Sequence, residues 1–112
     1  MAIELTKPWR DLTAAGLAAV HGYLGVYEIG DSFGNVLYVG YAGGRSLFGL
    51  HGELERHLGD PARRKTQFRV EVNTAYISRH RELLMAHAAR HGGLPELNRL
   101  EPVPPLGRLS PG

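Results

Sequence analysis

Gly25-Val26-Tyr27-Glu28-Ile29-Gly30-Asp31-Ser32-Phe33-Gly34-Asn35-Val36-Leu37-Tyr38-Val39-Gly40 is the stretch on which the fold turns. Two short runs, Gly25-Val26-Tyr27 and Tyr38-Val39-Gly40, flank a segment holding Asp31, Ser32, Gly34 and Asn35, the residue types that build tight turns. The pattern predicts a β-hairpin with strands near 24–30 and 35–41. Such a hairpin sets two tyrosines on neighbouring strands and two glycines at one end of the sheet. A ligand could approach the backbone closely there and meet hydroxyl groups. Valine and tyrosine also favour strands on their own account, so the hairpin alone does not separate a binding site from a plain sheet.

Working outward, Phe68 to Val72 alternates apolar and polar residues, the pattern of a third strand with one buried face. Leu47, Leu50, Leu54 and Leu58 recur at helical spacing after Gly43-Gly44, with Ser46 as a candidate cap. A longer helix is expected from Ser78 to His91, closed by Gly92-Gly93, and a short one over Asp11–Val20. The fold class is α/β in the α+β sense: a small three-stranded, mainly antiparallel sheet flanked by helices. Residues 1–23 read as an N-terminal helical extension packed on a domain of residues 24–99, followed by a proline-rich tail over 100–112 that cannot be helical.

A chain of 112 residues holds one domain, without room for a catalytic module plus a separate recognition module. It contains no cysteine, which excludes disulfides, thiolate zinc sites and a cysteine nucleophile. There is no leader pattern and no apolar run long enough to span a bilayer, so a soluble, cytoplasmic protein is expected. The formal charge is only +2, but arginine outnumbers lysine eleven to two and Arg63-Arg64-Lys65 forms a compact basic run. Arginine's planar fork suits phosphate oxygens, so a polyanion is an acceptable partner; a solvated loop accounts for the run equally well. Between Glu71 and Glu96 a single acid occurs, Glu82, with Ala86 and Ala89 beside it on a helical wheel. A carboxylate with small neighbours can hold a hard cation with water completing its shell, or simply pair with Arg79 three residues earlier.

In order and content these elements resemble the GIY-YIG nuclease family: Gly25-Val26-Tyr27, Tyr38-Val39-Gly40, a leucine-patterned helix ending Arg56-His57-Leu58, a strand, a helix bearing Glu82, then Pro95-Glu96-Leu97-Asn98. The resemblance covers residues 25–98, each tripeptide being weak alone and the ordered set stronger. It implies metal-assisted hydrolysis of phosphodiester bonds in DNA. On that reading Tyr27 activates or positions the attacking water, Tyr38 lines the site, Glu82 ligates Mg²⁺ or Mn²⁺, and Asn98 braces the site by hydrogen bonds.

The family also places an arginine on the helix after its second motif, against the scissile phosphate. Here that position falls on His51, with Arg45 and Arg56 as substitutes, and His57 joins the phosphate-facing set together with Arg63, Arg64 and Lys65. The departure leaves a second function open, a nucleic-acid-binding module whose chemistry is impaired, and a third, a nuclease subunit whose specificity comes from a protein partner. Phosphate contacts made by so small a domain are few, so affinity for duplex is expected to be weak and to fall steeply with salt.

Overall fold

The central strand carries the architecture, because its residues are buried on both faces. In a computed structural model that describes residues 5–60 and 66–100, strand β2 (Gly25–Gly30) is buried along its whole length. Tyr27 and Ile29 point into one apolar cluster and Val26 into another, which is why the strand reads as continuous and not alternating. Strand β3 (Val36–Ala42) pairs antiparallel with β2, Tyr27 opposite Gly40 and Ile29 opposite Tyr38, with a register shift after Ile29. Strand β4 (Gln67–Val72) pairs antiparallel with the other side of β2, Tyr27 opposite Val70. The hairpin turn closes on Asp31, whose carboxylate accepts from the side chain and backbone N–H of Asn35 and the backbone N–H of Phe33. These bonds hold the Asp31 pKa below the ordinary carboxylate value.

The sheet has four strands where three were expected. The two-residue strand β1 (Arg10–Asp11) pairs antiparallel with β4, giving the order β1-β4-β2-β3. Two charged, exposed residues carry no alternation for a sequence reading to find. The expected helix over Asp11–Val20 shrinks to α1 (Ala14–Leu17), capped by Thr13, whose hydroxyl accepts from Gly16 N–H. A Cβ at Gly16 would run into the Asp11 carbonyl, so the strand is folded back directly onto the start of this helix. Leu12, Leu17 and Val20 then enter the same cluster as Tyr27, making the N-terminal segment part of the core.

Helix α2 (Gly49–Leu58) lies against the Tyr27 face of the sheet through Leu50 and Leu54, and α3 (Tyr76–His91) against the Val26 face through Leu83 and Leu84. Helix α2 begins later than Ser46. That hydroxyl instead accepts from Gly43 N–H, and the N-cap is Phe48, with φ 62° and ψ 19°. Among the described residues Phe48 is the one non-glycine with left-handed φ, a conformation that costs an L-residue roughly 1–2 kcal/mol. Phe48→Gly is therefore expected to stabilise the fold by about 1 kcal/mol, raising the melting temperature by roughly 4 °C or more in a thermal melt. A lowered melting temperature would refute the strain. A 3-10 helix, Glu96–Leu100, ends the described chain and packs on edge strand β3. Among the described residues no helix is long and apolar enough to cross a membrane.

Candidate active site

Edge strand β3 is wrapped by a cavity of about 810 Å³ that draws its wall from both faces of the sheet. From the α2 face come Tyr27, Tyr38 and Gly40, with Glu53 and Arg56 of α2; from the α3 face come Tyr41, Tyr76, Ile77 and His80. The β3–α2 loop adds Gly43, Gly44, Arg45 and Ser46, and Asn98 closes one side.

The glycine of the second motif has a steric reason. A Cβ at Gly40 would collide with the phenol ring of Tyr27 across the β2–β3 pair, so its absence is what lets that ring lie over the strand. Once there, the Tyr27 hydroxyl is 2.8 Å from Nε2 of His57, in a buried hydrogen bond. His57 occupies the last turn of α2, its ring centroid 5.6 Å from Tyr27 and 4.8 Å from Tyr38. With the ring proton on Nδ1, the phenol donates and Nε2 accepts, an arrangement in which imidazole can take the phenolic proton.

Arg56 sits beside this pair. Its guanidinium donates to Glu53 at 2.9 Å, and its pKa is raised first by that bond and further by charge interactions with Tyr27, Glu53 and Tyr38, against desolvation. Arg56 is well exposed whereas Tyr27 and Tyr38 are buried, so the cavity presents a cation to solvent and its phenols lie deeper.

Asn98 is fully enclosed and devotes its amide to one strand residue. Its Oδ1 accepts from Val39 N–H at 2.8 Å and its Nδ2 donates to the Val39 carbonyl at 2.9 Å. An edge strand exposes just these groups, and here a side chain takes the place of a fifth strand. His80 contacts the same carbonyl through Nε2 at 3.2 Å, and its ring lies edge-on to Tyr41 at 4.9 Å. Val39 is thereby fixed between the two residues, Tyr38 and Gly40, that shape the cavity.

Of the residues expected at a site, the structure brings together Tyr27, Tyr38, Arg45, Arg56 and Asn98 on the cavity wall, with His57 behind them. Two do not join. His51 lies between the Val20 carbonyl, 2.9 Å from Nδ1, and Glu55, 3.2 Å from Nε2, on the side of α2 that faces the α1 segment. At about 100° per residue, two positions separate it from Glu53 by roughly 200°. Glu82 is likewise two positions past His80 on α3, and so turns away from the cavity. Its carboxylate is half exposed and accepts from Arg79 at 3.3 Å, while Arg79 also holds Glu71 at 2.8 Å. Arg63, Arg64 and Lys65 lie outside the described residues.

A magnesium or manganese ion held by Glu82 would sit off the cavity, so the expected ligand does not fit. The carboxylate on the wall is Glu53, and Arg56 engages it. Among the described residues no group of three metal-ligating side chains converges.

Sequence reasoning missed Tyr41, Glu53, Tyr76 and His80. Glu53 was within reach, because it lies one helical turn before His57, which was expected to face phosphate. Tyr41 and Tyr76, stacked at 5.7 Å with 12° between their planes, meet through tertiary packing that no local pattern announces.

The family model for a domain of unknown function, DUF7508, matches residues 3–90. The chain belongs to the DUF7508 family. The matched span takes in every cavity residue of this DUF7508 chain except Asn98. No curated protein and no solved structure matches it.

Proposed function

We propose that this DUF7508 protein is a cytoplasmic endonuclease that hydrolyses phosphodiester bonds in DNA. The single observation that supports the reading best is the buried 2.8 Å contact between the Tyr27 hydroxyl and His57 Nε2, at a cavity whose wall also carries Arg56. The phosphate approaches Arg56 and Arg45, which take its non-bridging oxygens. Tyr27 passes its proton to His57 and accepts one from a water. That water's oxygen forms the new P–O bond as the leaving oxygen departs on the opposite side. The leaving oxygen takes a proton from solvent on its own side and the imidazolium of His57 later gives its proton back to solvent, so protons and charge balance. Charge that grows on the phosphoryl oxygens is met by guanidinium groups already in place.

A second reading, a phosphodiester-binding module without hydrolysis, is favoured by the position of Glu82, locked to Arg79 and outside the cavity. The two separate when the protein is incubated with linear, nicked and branched DNA in Mg²⁺, Mn²⁺ or EDTA. On the hydrolase reading the wild type cuts, Arg56→Ala lowers the rate by about 10²-fold or more, and Glu82→Ala stays within roughly twofold of wild type. Binding without cutting under every condition establishes the module instead. A large loss in Glu82→Ala would mean that α3 is rotated from the orientation described above.

A further inference from the structure

The loop that delivers Arg45 and Ser46 to the cavity wall runs straight on into Leu47 and Phe48, 79% and 77% exposed. Single exposed apolar residues are ordinary. Two adjacent large ones are unfavourable here in two ways, since both face water and Phe48 also adopts the left-handed backbone conformation.

The backbone beneath them is pinned. Leu50 N–H donates to the Tyr23 carbonyl at 2.9 Å and Gly52 N–H to that of Phe48 at 3.2 Å. A Cβ at Gly49 would run into the Gly22 carbonyl, and one at Gly22 would press tightly on the Phe48 carbonyl. At the other end of the loop, Gly44 N–H donates to the Tyr76 hydroxyl at 3.2 Å. The side chains are thus held in solvent on a fixed pedestal. Within the cavity, Tyr41 and Ile77 add further exposed apolar surface beside the arginines.

A basic groove alone tracks a phosphate backbone. Apolar and aromatic side chains next to it add what a base needs once it leaves its stack, a flat partner or a wedge against the neighbouring step. We propose that Leu47 and Phe48 receive an unstacked nucleobase beside the phosphate held by Arg45 and Arg56. The substrate is accordingly a nucleic acid with unpaired nucleotides, such as a flap, a branch or a single strand, in preference to continuous duplex. The inference rests on the phosphodiester reading of the cavity. The two arginines give the tip its charge complementarity to a nucleic acid and distinguish this occupant from a second copy of the chain.

The test measures binding, in EDTA and at low salt, to three fluorescent oligonucleotides: a single strand, a duplex with a single-stranded flap containing 2-aminopurine, and a continuous duplex. The wild type is expected to bind the flap at least about tenfold more tightly than the continuous duplex and to change the 2-aminopurine emission. Phe48→Gly, which keeps the backbone conformation and removes the ring, and Leu47→Ala are expected to bring the ratio close to one. Affinity for continuous duplex should stay within about twofold of wild type.

Unchanged ratios in both variants overturn the inference. So does a concentration-dependent dimer in sedimentation that Phe48→Gly abolishes while flap preference persists, which assigns the tip to a second copy. Because binding is read without cleavage, a wild type that selects the flap yet never cuts removes the hydrolase and keeps the base-binding tip. Cutting without selection removes the tip alone, and failure to bind any of the three removes both.

Discussion

Tyr27→Phe is expected to lower the cleavage rate by about 10²–10⁴-fold while leaving a folded protein, the usual range for removing a positioned acid–base group. The substitution deletes one oxygen and keeps the ring, which still lies over Gly40 and still packs with Tyr38 and Ile29. What is lost is the hydrogen bond between the phenol and His57 Nε2. That loss costs stability of about 1 kcal/mol, as for a typical buried hydrogen bond, against a far larger loss of rate. The two effects are therefore separable: a melt of the variant should fall by only a few degrees in a domain of this size, while single-turnover cleavage collapses.

His57→Gln keeps a hydrogen-bonding side chain but cannot take the proton, and it should slow cleavage comparably. In the double variant the losses should fall well short of additive if, as proposed, the two residues act as one relay. A Tyr27→Phe protein that cuts at the wild-type rate would dismiss the relay.

The parts of this site legible in the sequence are those fixed by short-range constraints. Tyr27 and Gly40 come together because a hairpin register follows from its turn, and the collision that a Cβ at Gly40 would cause explains why a glycine stands there. Asn98, which ends the closing segment Pro95-Glu96-Leu97-Asn98, was expected to brace the site, and its amide binds Val39.

Helix rotation was not legible to the same precision. Leucine spacing marks the buried stripe of α2, but an inserted loop of uncertain length before the helix leaves open which polar residue turns inward, and each residue of error rotates the choice by about 100°. That is why the sequence points to His51 and passes over Glu53. Glu82 fails for the related reason that a wheel drawn on α3 alone gives no direction to the sheet edge. Strand β1 is invisible because Arg10 and Asp11 join the sheet through backbone bonds, without apolar side chains to signal it.

The second large effect concerns stability. Glu28 is the acidic residue of β2 and lines a small polar cavity with His87, Arg90 and His91, and Arg69 donates to it from β4 through Nε at 2.7 Å, with both side chains largely buried. The two stand opposite one another in the β2–β4 register, so the pair is a cross-strand contact fixed by backbone geometry. Trp9 covers Arg69, whose guanidinium carbon lies 4.3 Å from the ring centroid. Arg69→Leu leaves a buried carboxylate without this cation and is expected to cost about 3–5 kcal/mol, a large share of what a small domain has. Equilibrium denaturation in urea would read it as a lowered midpoint.

Glu28→Leu combined with Arg69→Leu removes both members of the pair and should recover part of the loss, because a share of the penalty comes from weakening the compensation of a buried carboxylate and not from absence of the pair. If the double variant is as unstable as Arg69→Leu alone, the guanidinium contributes chiefly by packing under Trp9. The charge-matching account would then give way to one based on lost surface contact.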